Sequence, residues 1–155
     1  ALWPTTRAEL VLYNNEPAGG KSFILDSASM YNITTQAAAN HINLLGQLVP
    51  VVATAPANDT AQLLSSLSGR AGYGGNARKA VANTAAGQTT NLWRSLAVGL
   101  NANTASLGLA CYAELFGLYI VPPQGVFALA GVAGTAAGTA IIGVRWYELQ
   151  LTLGG

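Results

Sequence analysis

The clearest secondary-structure signal in this sequence is the stretch Thr139-Ala-Ile-Ile-Gly-Val-Arg-Trp-Tyr-Glu-Leu-Gln-Leu151. Ile142, Val144 and Trp146 fall on one side of an extended chain, whereas the charged Arg145 falls on the other. β-Branched and aromatic residues are also enriched in strands. The stretch therefore predicts a β-strand with one side packed on a core.

Other extended stretches recur along the chain, separated by clusters of Gly, Pro, Asn and Asp that favour turns. They predict eight or nine strands, at residues 9–13, 22–34, 41–52, 79–83, 92–100, 106–114, 117–121, 126–130 and 139–151. Asp26-Ser27 predicts a bulge, Pro50 predicts an edge position for its strand, and the last two strands are expected to form a hairpin. Short helices are allowed only at residues 36–40 and 59–67.

No apolar repeat of 3.6 residues is long enough for a core helix. The fold class predicted is therefore all-β, an antiparallel β-sandwich of the jelly-roll type. A length of 155 residues suits one domain, so residues 8–155 are predicted to form a single sandwich. Residues 1–7 predict an extended N-terminal arm, and residues 68–90 a long loop rich in Gly and Asn.

The composition is unusually poor in charge. Only 8% of residues are charged and 51% are apolar, against about 25% charged in typical soluble domains. A monomer normally covers itself with mixed charge, so we expect much of this exterior to be covered by other polypeptides. The net charge of +1 gives no electrostatic footprint for nucleic acid or an anionic membrane.

Residues that perform catalysis or bind metals are scarce. The chain has one histidine, His41, one cysteine, Cys111, and six carboxylates. No serine lies in a Gly-x-Ser-x-Gly pattern, and the ligand count offers no zinc spacing or calcium loop. We therefore predict no catalytic residues, no metal and no cofactor. Cys111 lies in an apolar run and is predicted to be buried.

One segment meets the length criterion for a membrane helix. Val126 to Val144 is a 19-residue uncharged run that contains Gly134-x-x-x-Gly138. Its residues are mostly Ala, Gly and Thr, whose insertion energy is marginal. The hairpin is therefore favoured over the membrane helix.

Two parts of the chain resemble capsid-associated structural proteins of tailed bacteriophages. One is Gly117-Leu-Tyr-Ile-Val-Pro-Pro-Gln-Gly-Val-Phe-Ala-Leu129 with Gly143-Val-Arg-Trp-Tyr-Glu148, and the other is Leu10-Val-Leu-Tyr-Asn-Asn15 with Gly20-Lys-Ser-Phe23. In that group a Pro-Pro-Gly-type turn and a Trp-x-Glu strand close the sandwich; Gln124 departs from the pattern where a second glycine is usual. The resemblance implies a virion protein at the capsid surface. Such a protein is a decoration (cement) protein, commonly a homotrimer, on the major capsid protein, or else a head-fibre or tail/baseplate component.

Partner binding is predicted in the arm and in the loop at residues 69–79, where cations could meet carboxylates of a shell. The residues are Trp3, Pro4, Arg7, Arg70, Tyr73, Arg78 and Lys79. The rival interpretation is a lectin-like module that stacks sugars on Tyr73 and Trp93. Trp146 is expected to belong to the core instead, because it alternates with Val144 and Ile142.

Overall fold

The computed structural model describes residues 8–32, 40–50, 55, 75–83, 93–101, 110–133 and 140–151. These residues contain nine strands and no helix, which confirms the all-β class. The strands are β1 (Ala8–Asn14), β2 (Ser22–Asn32), β3 (Asn40–Val49), β4 (Ala77–Asn83), β5 (Arg94–Asn101), β6 (Ala110–Glu114), β7 (Ile120–Val121), β8 (Val126–Ala133) and β9 (Ala140–Leu149).

The strands form two antiparallel sheets. The five-stranded sheet has the order β4-β1-β8-β3-β5. In the four-stranded sheet, β9 pairs with β2 along its whole length, while β6 and β7 share the opposite side of β2. The chain passes from one sheet to the other after β1 and again after β2, and β8 returns to lie between β1 and β3. Two antiparallel sheets packed on each other confirm the β-sandwich that the sequence predicts.

The main core lies between the two sheets, where alternate residues of facing strands meet. Leu12, Leu25, Leu44 and Phe127 are at most 2% exposed there. Burial of each such side chain stabilises the fold by about 1.5–3 kcal/mol. Ile142, Val144 and Trp146 pack against this core from β9, as predicted, and the Trp146 ring lies 6.0 Å from the Phe23 ring.

A second cluster covers the opposite face of the five-stranded sheet. Val11, Leu45 and Ala128 alternate with residues of the main core and are themselves at most 2% exposed. Trp93, just before β5, joins this cluster and is 3% exposed. The central strands of this sheet are therefore buried on both faces.

The position predicted for β3 was wrong. This strand has two neighbours, β5 and β8, so it is a central strand and not an edge. Pro50 follows the last strand residue, Val49, and its missing N–H therefore interrupts no ladder bond.

The predicted hairpin between β8 and β9 was also wrong. β8 lies in the five-stranded sheet between β1 and β3, while β9 pairs with β2 in the other sheet. Residues 126–130 are buried on both faces of the strand, which requires a central position, whereas β9 has one exposed face. Among the residues that the structure describes, no helix is long and apolar enough to cross a bilayer.

The turn from β7 to β8 carries the chain between the sheets. The N–H of Gly125 donates to the carbonyl of Pro122 at 2.9 Å, and Gln124 has a φ of 65°. These are the features of a type II turn, whose third residue is usually glycine. The departure at Gln124 therefore falls on the turn position with a left-handed backbone.

The predicted bulge is confirmed by a register shift between Leu25 and Ser27. The strand predicted from Lys79 begins at Ala77. The arm at residues 1–7, the helix allowed at residues 59–67 and most of the loop at residues 68–90 lie outside the described residues. So does the helix allowed at residues 36–40, except for Asn40, which begins β3.

Candidate interaction surface

The outer face of the four-stranded sheet exposes most of the large apolar side chains on the described surface. Eight such side chains are strongly exposed, and seven of them belong to this sheet or to its β6–β7 turn. We call these seven the exposed apolar face: Tyr31, Tyr112, Phe116, Leu118, Ile141, Tyr147 and Leu149. The eighth, Val98, lies on β5 of the other sheet.

Strand pairing places two of these residues beside apolar neighbours on the adjacent strand. Tyr31 lies opposite Ile141, and Ile24 lies opposite Tyr147. Side chains directly opposite each other in antiparallel strands have Cβ atoms about 4.5–5.5 Å apart. The exposed area of the seven residues, backbone and hydroxyl groups included, is roughly 800 Å², about one partner's share of a standard protein–protein interface.

The two ion pairs within and beside this face contribute little energy. Arg145 approaches Asp26 at 3.7 Å, and Lys21 approaches Glu148 at 3.8 Å. The Arg145 and Lys21 side chains are 64% and 51% exposed, and pairs of this kind contribute about 0–1 kcal/mol. Apolar and aromatic surface therefore dominates the chemistry of the face.

The bulge in β2 positions the β6–β7 turn. The carbonyl of Asp26, the bulged residue, accepts hydrogen bonds from the N–H groups of Leu115 at 2.7 Å and Phe116 at 3.2 Å. The carbonyl of Leu25 accepts a third from Gly117 at 2.9 Å. A Cβ added at Gly117 would lie 3.1 Å from Ile24. The turn is therefore seated against the outer face of β2.

Phe116 occupies an unusual backbone conformation within that turn. Phe116 and Gly117 have φ values of 48° and 75°, and the N–H of Leu118 donates to Leu115 at 2.8 Å. Positive φ at both central residues defines a type I′ turn, in which Asn-Gly is the preferred pair. A bulky residue at positive φ is a genuine outlier, and the Phe116 side chain is 76% exposed. Strain held for an exposed aromatic points to a role in binding.

The residues predicted for partner binding do not lie on this face where they are described. Trp3, Pro4, Arg7, Arg70 and Tyr73 lie outside the described residues. Arg78 and Lys79 lie on β4, paired with β1 in the other sheet.

Trp93, proposed as a sugar-stacking residue, is buried in the second cluster. That prediction was wrong, because the indole packs against the five-stranded sheet and is not available to a sugar.

Sequence reasoning missed the exposed apolar face as a unit. One signal was available in β9, where the residues alternating with the core-facing set include Ile141, Tyr147 and Leu149. Phe116 carried no such signal, because phenylalanine is not a turn-forming residue. Its turn could be recognised only in the structure, from the hydrogen bonds that the Asp26 carbonyl accepts.

Cys111 is a poor candidate for a nucleophile. Its side chain is 2% exposed between the sheets, as predicted, and the Sγ donates to the carbonyl of Ile42 at 3.7 Å. Burial raises the pKa of the thiol, and a backbone hydrogen bond at Gly99 offsets this only in part. The thiol is therefore protonated at neutral pH and lacks the reactive thiolate form. Among the described residues, no three His, Cys, Asp or Glu side chains are grouped to hold a metal.

We expect the Cys111 thiol to be inert in the native protein at pH 7.5. A thiol-reactive dye should label it more than 100-fold more slowly than the same chain in denaturant, because labelling must await opening of the core. Labelling of the native protein at the unfolded rate would contradict the buried position.

Comparisons of this chain with protein-family models, with curated proteins and with solved structures found no match.

Proposed function

We propose that this chain is a non-enzymatic structural protein that works by association, with the exposed apolar face as its contact surface. The observation that carries the proposal is the concentration of seven large exposed apolar side chains on one sheet. The specific form we propose is a capsid decoration (cement) protein of a virion. It would associate with itself, as a trimer in the form that the resemblance implies, and bind the major capsid protein. A head-fibre or tail/baseplate component is the alternative.

The size and chemistry of the face support association. The largest apolar patch on a typical monomer is about 300–600 Å² and is often functional. Here the seven residues, polar atoms included, together expose roughly 800 Å², divided over the sheet and the β6–β7 turn. Tyrosine and phenylalanine are enriched in protein interfaces, and charged residues are depleted from interface centres. Burying this face therefore removes much apolar area from water. Arg145 lies on the same side of β9, between Ile141 and Tyr147, and would enter the contact together with its ion-pair partner Asp26.

The virion form is supported by the resemblance of residues 10–23, 117–129 and 143–148 to capsid-associated proteins of tailed bacteriophages. Jelly-roll sandwiches serve both viral capsid and lectin domains, so the architecture is compatible with either. The burial of Trp93 removes one of the two aromatic residues on which the sugar-binding alternative depended.

A solution-mass measurement tests association. By light scattering, the purified protein should have the mass of two or more chains of 15.8 kDa each. The double variant Tyr112→Glu/Leu118→Glu should shift toward the monomer, because it places charges in the contact. The matched control is Val98→Glu, since Val98 and Tyr112 are 58% and 56% exposed on different sheets. A monomeric wild type, or equal effects of the variant and the control, would refute the proposal.

Co-sedimentation with empty phage capsids tests the virion form. The wild type should pellet with capsids, and the double variant should pellet less at equal concentration. An associated wild type that stays in the supernatant with every capsid tested would refute the capsid role while leaving association intact.

A further inference from the structure

A row of charged residues crosses the middle of the exposed apolar face. Ser27 on β2 lies opposite Arg145 of β9 on one side and opposite Glu114 of β6 on the other. Arg145 and Glu114 are both exposed, and Arg145 also approaches Asp26 at 3.7 Å. Neighbouring strands lie about 4.8 Å apart. The guanidinium and the Glu114 carboxylate therefore belong to opposite ends of a row about 10 Å wide.

The next row along the strands ends in a glycine and a projecting tyrosine. Ser29 on β2 lies opposite Gly143 of β9 and opposite Tyr112 of β6. Tyr112 is 56% exposed, whereas Gly143 presents only backbone. A Cβ added at Gly143 would lie 3.4 Å from the Ser29 Oγ, an ordinary contact. The chain itself therefore tolerates a side chain at Gly143.

We infer that the exposed apolar faces of two copies of this chain pack against each other across a two-fold axis that runs along β2. Each β9 then lies over β6 of the second copy. Sheets packed face to face commonly keep their strand directions within about 30° of each other. This inference rests on the proposed function and adds the partner, the orientation and the residue pairs of the contact.

The charged row selects this orientation. A two-fold axis along β2 exchanges the two sides of the face, so Arg145 of each copy lies over Glu114 of the other. An axis across the strands instead sets β9 over β9 and β6 over β6. That arrangement brings like charges together or leaves them over uncharged residues, and both outcomes are unfavourable in a contact. Only the axis along β2 pairs opposite charges.

The contact gives Arg145 a second carboxylate. A guanidinium has five N–H donors in a fixed fork, so Arg145 can bind Asp26 of its own chain and Glu114 of the second copy together. Desolvation of buried charges is repaid only when they are well paired. The charges within the apolar face therefore become complementary when a second copy covers them.

The shape of the face fits the same arrangement. Tyr112 lies over Gly143 of the second copy, where the missing side chain leaves room for its ring. On either side of these rows, Tyr31 lies over Tyr31, and Tyr147 lies over Ile120. The two faces together supply up to roughly 1,600 Å², the size of a standard interface.

Two charge variants test the pairing. Arg145→Glu places carboxylates over Glu114 of the second copy, and Glu114→Arg places guanidinium groups over Arg145. Each variant alone should therefore associate at least about tenfold more weakly than the wild type. Fluorescently labelled Arg145→Glu should bind Glu114→Arg at least about tenfold more tightly than it binds itself, because every carboxylate then meets a guanidinium.

The matched control titrates labelled Arg145→Glu with Val98→Arg. This variant adds an arginine at a residue that is 58% exposed on the other sheet, and it leaves Glu114 in place. Binding to Val98→Arg should be at least about tenfold weaker than binding to Glu114→Arg. Equal binding to the two arginine variants, or full association of either single variant with itself, would overturn the proposed orientation.

A steric variant tests the contact without changing charge. Gly143→Leu fills the place of Tyr112 of the second copy, so it should weaken association at least about tenfold. Adding Tyr112→Ala to Gly143→Leu should recover part of the loss. Unfolding of the dissociated Gly143→Leu protein should occur at no lower urea concentration than for the wild type. Unchanged association of Gly143→Leu would overturn the contact.

The solution mass separates this inference from the proposed function. A contact across a two-fold axis requires an even number of subunits, such as a dimer or two joined trimers. A lone trimer, or an associated wild type whose charge variants show no mutual preference, would overturn the face-to-face contact and leave the structural function standing. A monomeric wild type would overturn both.

Discussion

Replacing Asn14 with alanine is expected to lower the free energy of unfolding by about 3 kcal/mol, because one buried and two partly buried hydrogen bonds lose their partner at once. Asn14 is fully buried at the end of β1. Its Nδ2 donates to the carbonyls of Lys21 at 2.8 Å and Val121 at 3.0 Å, and its Oδ1 accepts from the N–H of Glu16 at 3.1 Å. One side chain thus ties the end of β1 to the start of β2 and to β7.

Urea and thermal unfolding at fixed protein concentration measure this effect. The melting temperature should fall by about 6–12 °C for a chain of this size. Asn14→Asp should also be strongly destabilising, because a carboxylate keeps the acceptor but cannot donate to the two carbonyls. The matched control is Asn76→Ala, which removes an exposed hydrogen bond of 2.8 Å to Glu16 and should cost less than about 0.5 kcal/mol. Similar losses at both asparagines would contradict the importance of burial.

Replacing Phe116 with asparagine is expected to stabilise the fold and to weaken association at the same time. Asparagine tolerates the left-handed backbone that Phe116 holds at a φ of 48°, so relief of strain should add about 1 kcal/mol to the free energy of unfolding. The change also removes an aromatic side chain that is 76% exposed. If Phe116 lies in the contact, the dissociation constant should rise by at least about tenfold.

Two measurements separate these effects. Unfolding is followed at a concentration where the protein is dissociated, since association itself raises the apparent stability, and sedimentation equilibrium gives the dissociation constant. The matched control is Leu118→Asn, which removes a side chain that is 82% exposed from a residue without positive φ. It should weaken association without stabilising the fold. A destabilised Phe116→Asn would contradict the strain at Phe116, and a variant that associates like the wild type would contradict its place in the contact.

The sequence alone determined the strands, because the side-chain period of two is a local property. β9 was visible from Ile142, Val144 and Trp146, and the bulge in β2 from Asp26-Ser27. Burial of Cys111 followed from its apolar neighbours. The shortage of charge also indicated that part of the exterior is suited to contact with other polypeptides.

Only the tertiary structure decided which strands pair and which surfaces stay open. Pro50 indicated an edge strand, yet β3 is central because it pairs with both β5 and β8. The proline does not interfere, since it follows the last residue of the strand. β8 and β9 are consecutive in sequence but lie in different sheets, since residues 126–130 of β8 are buried on both faces and β9 has one exposed face. Trp93 is buried, and Phe116 is exposed in a left-handed turn that the Asp26 carbonyl holds in place. These outcomes depend on contacts between residues far apart in sequence, which no local pattern of side chains encodes.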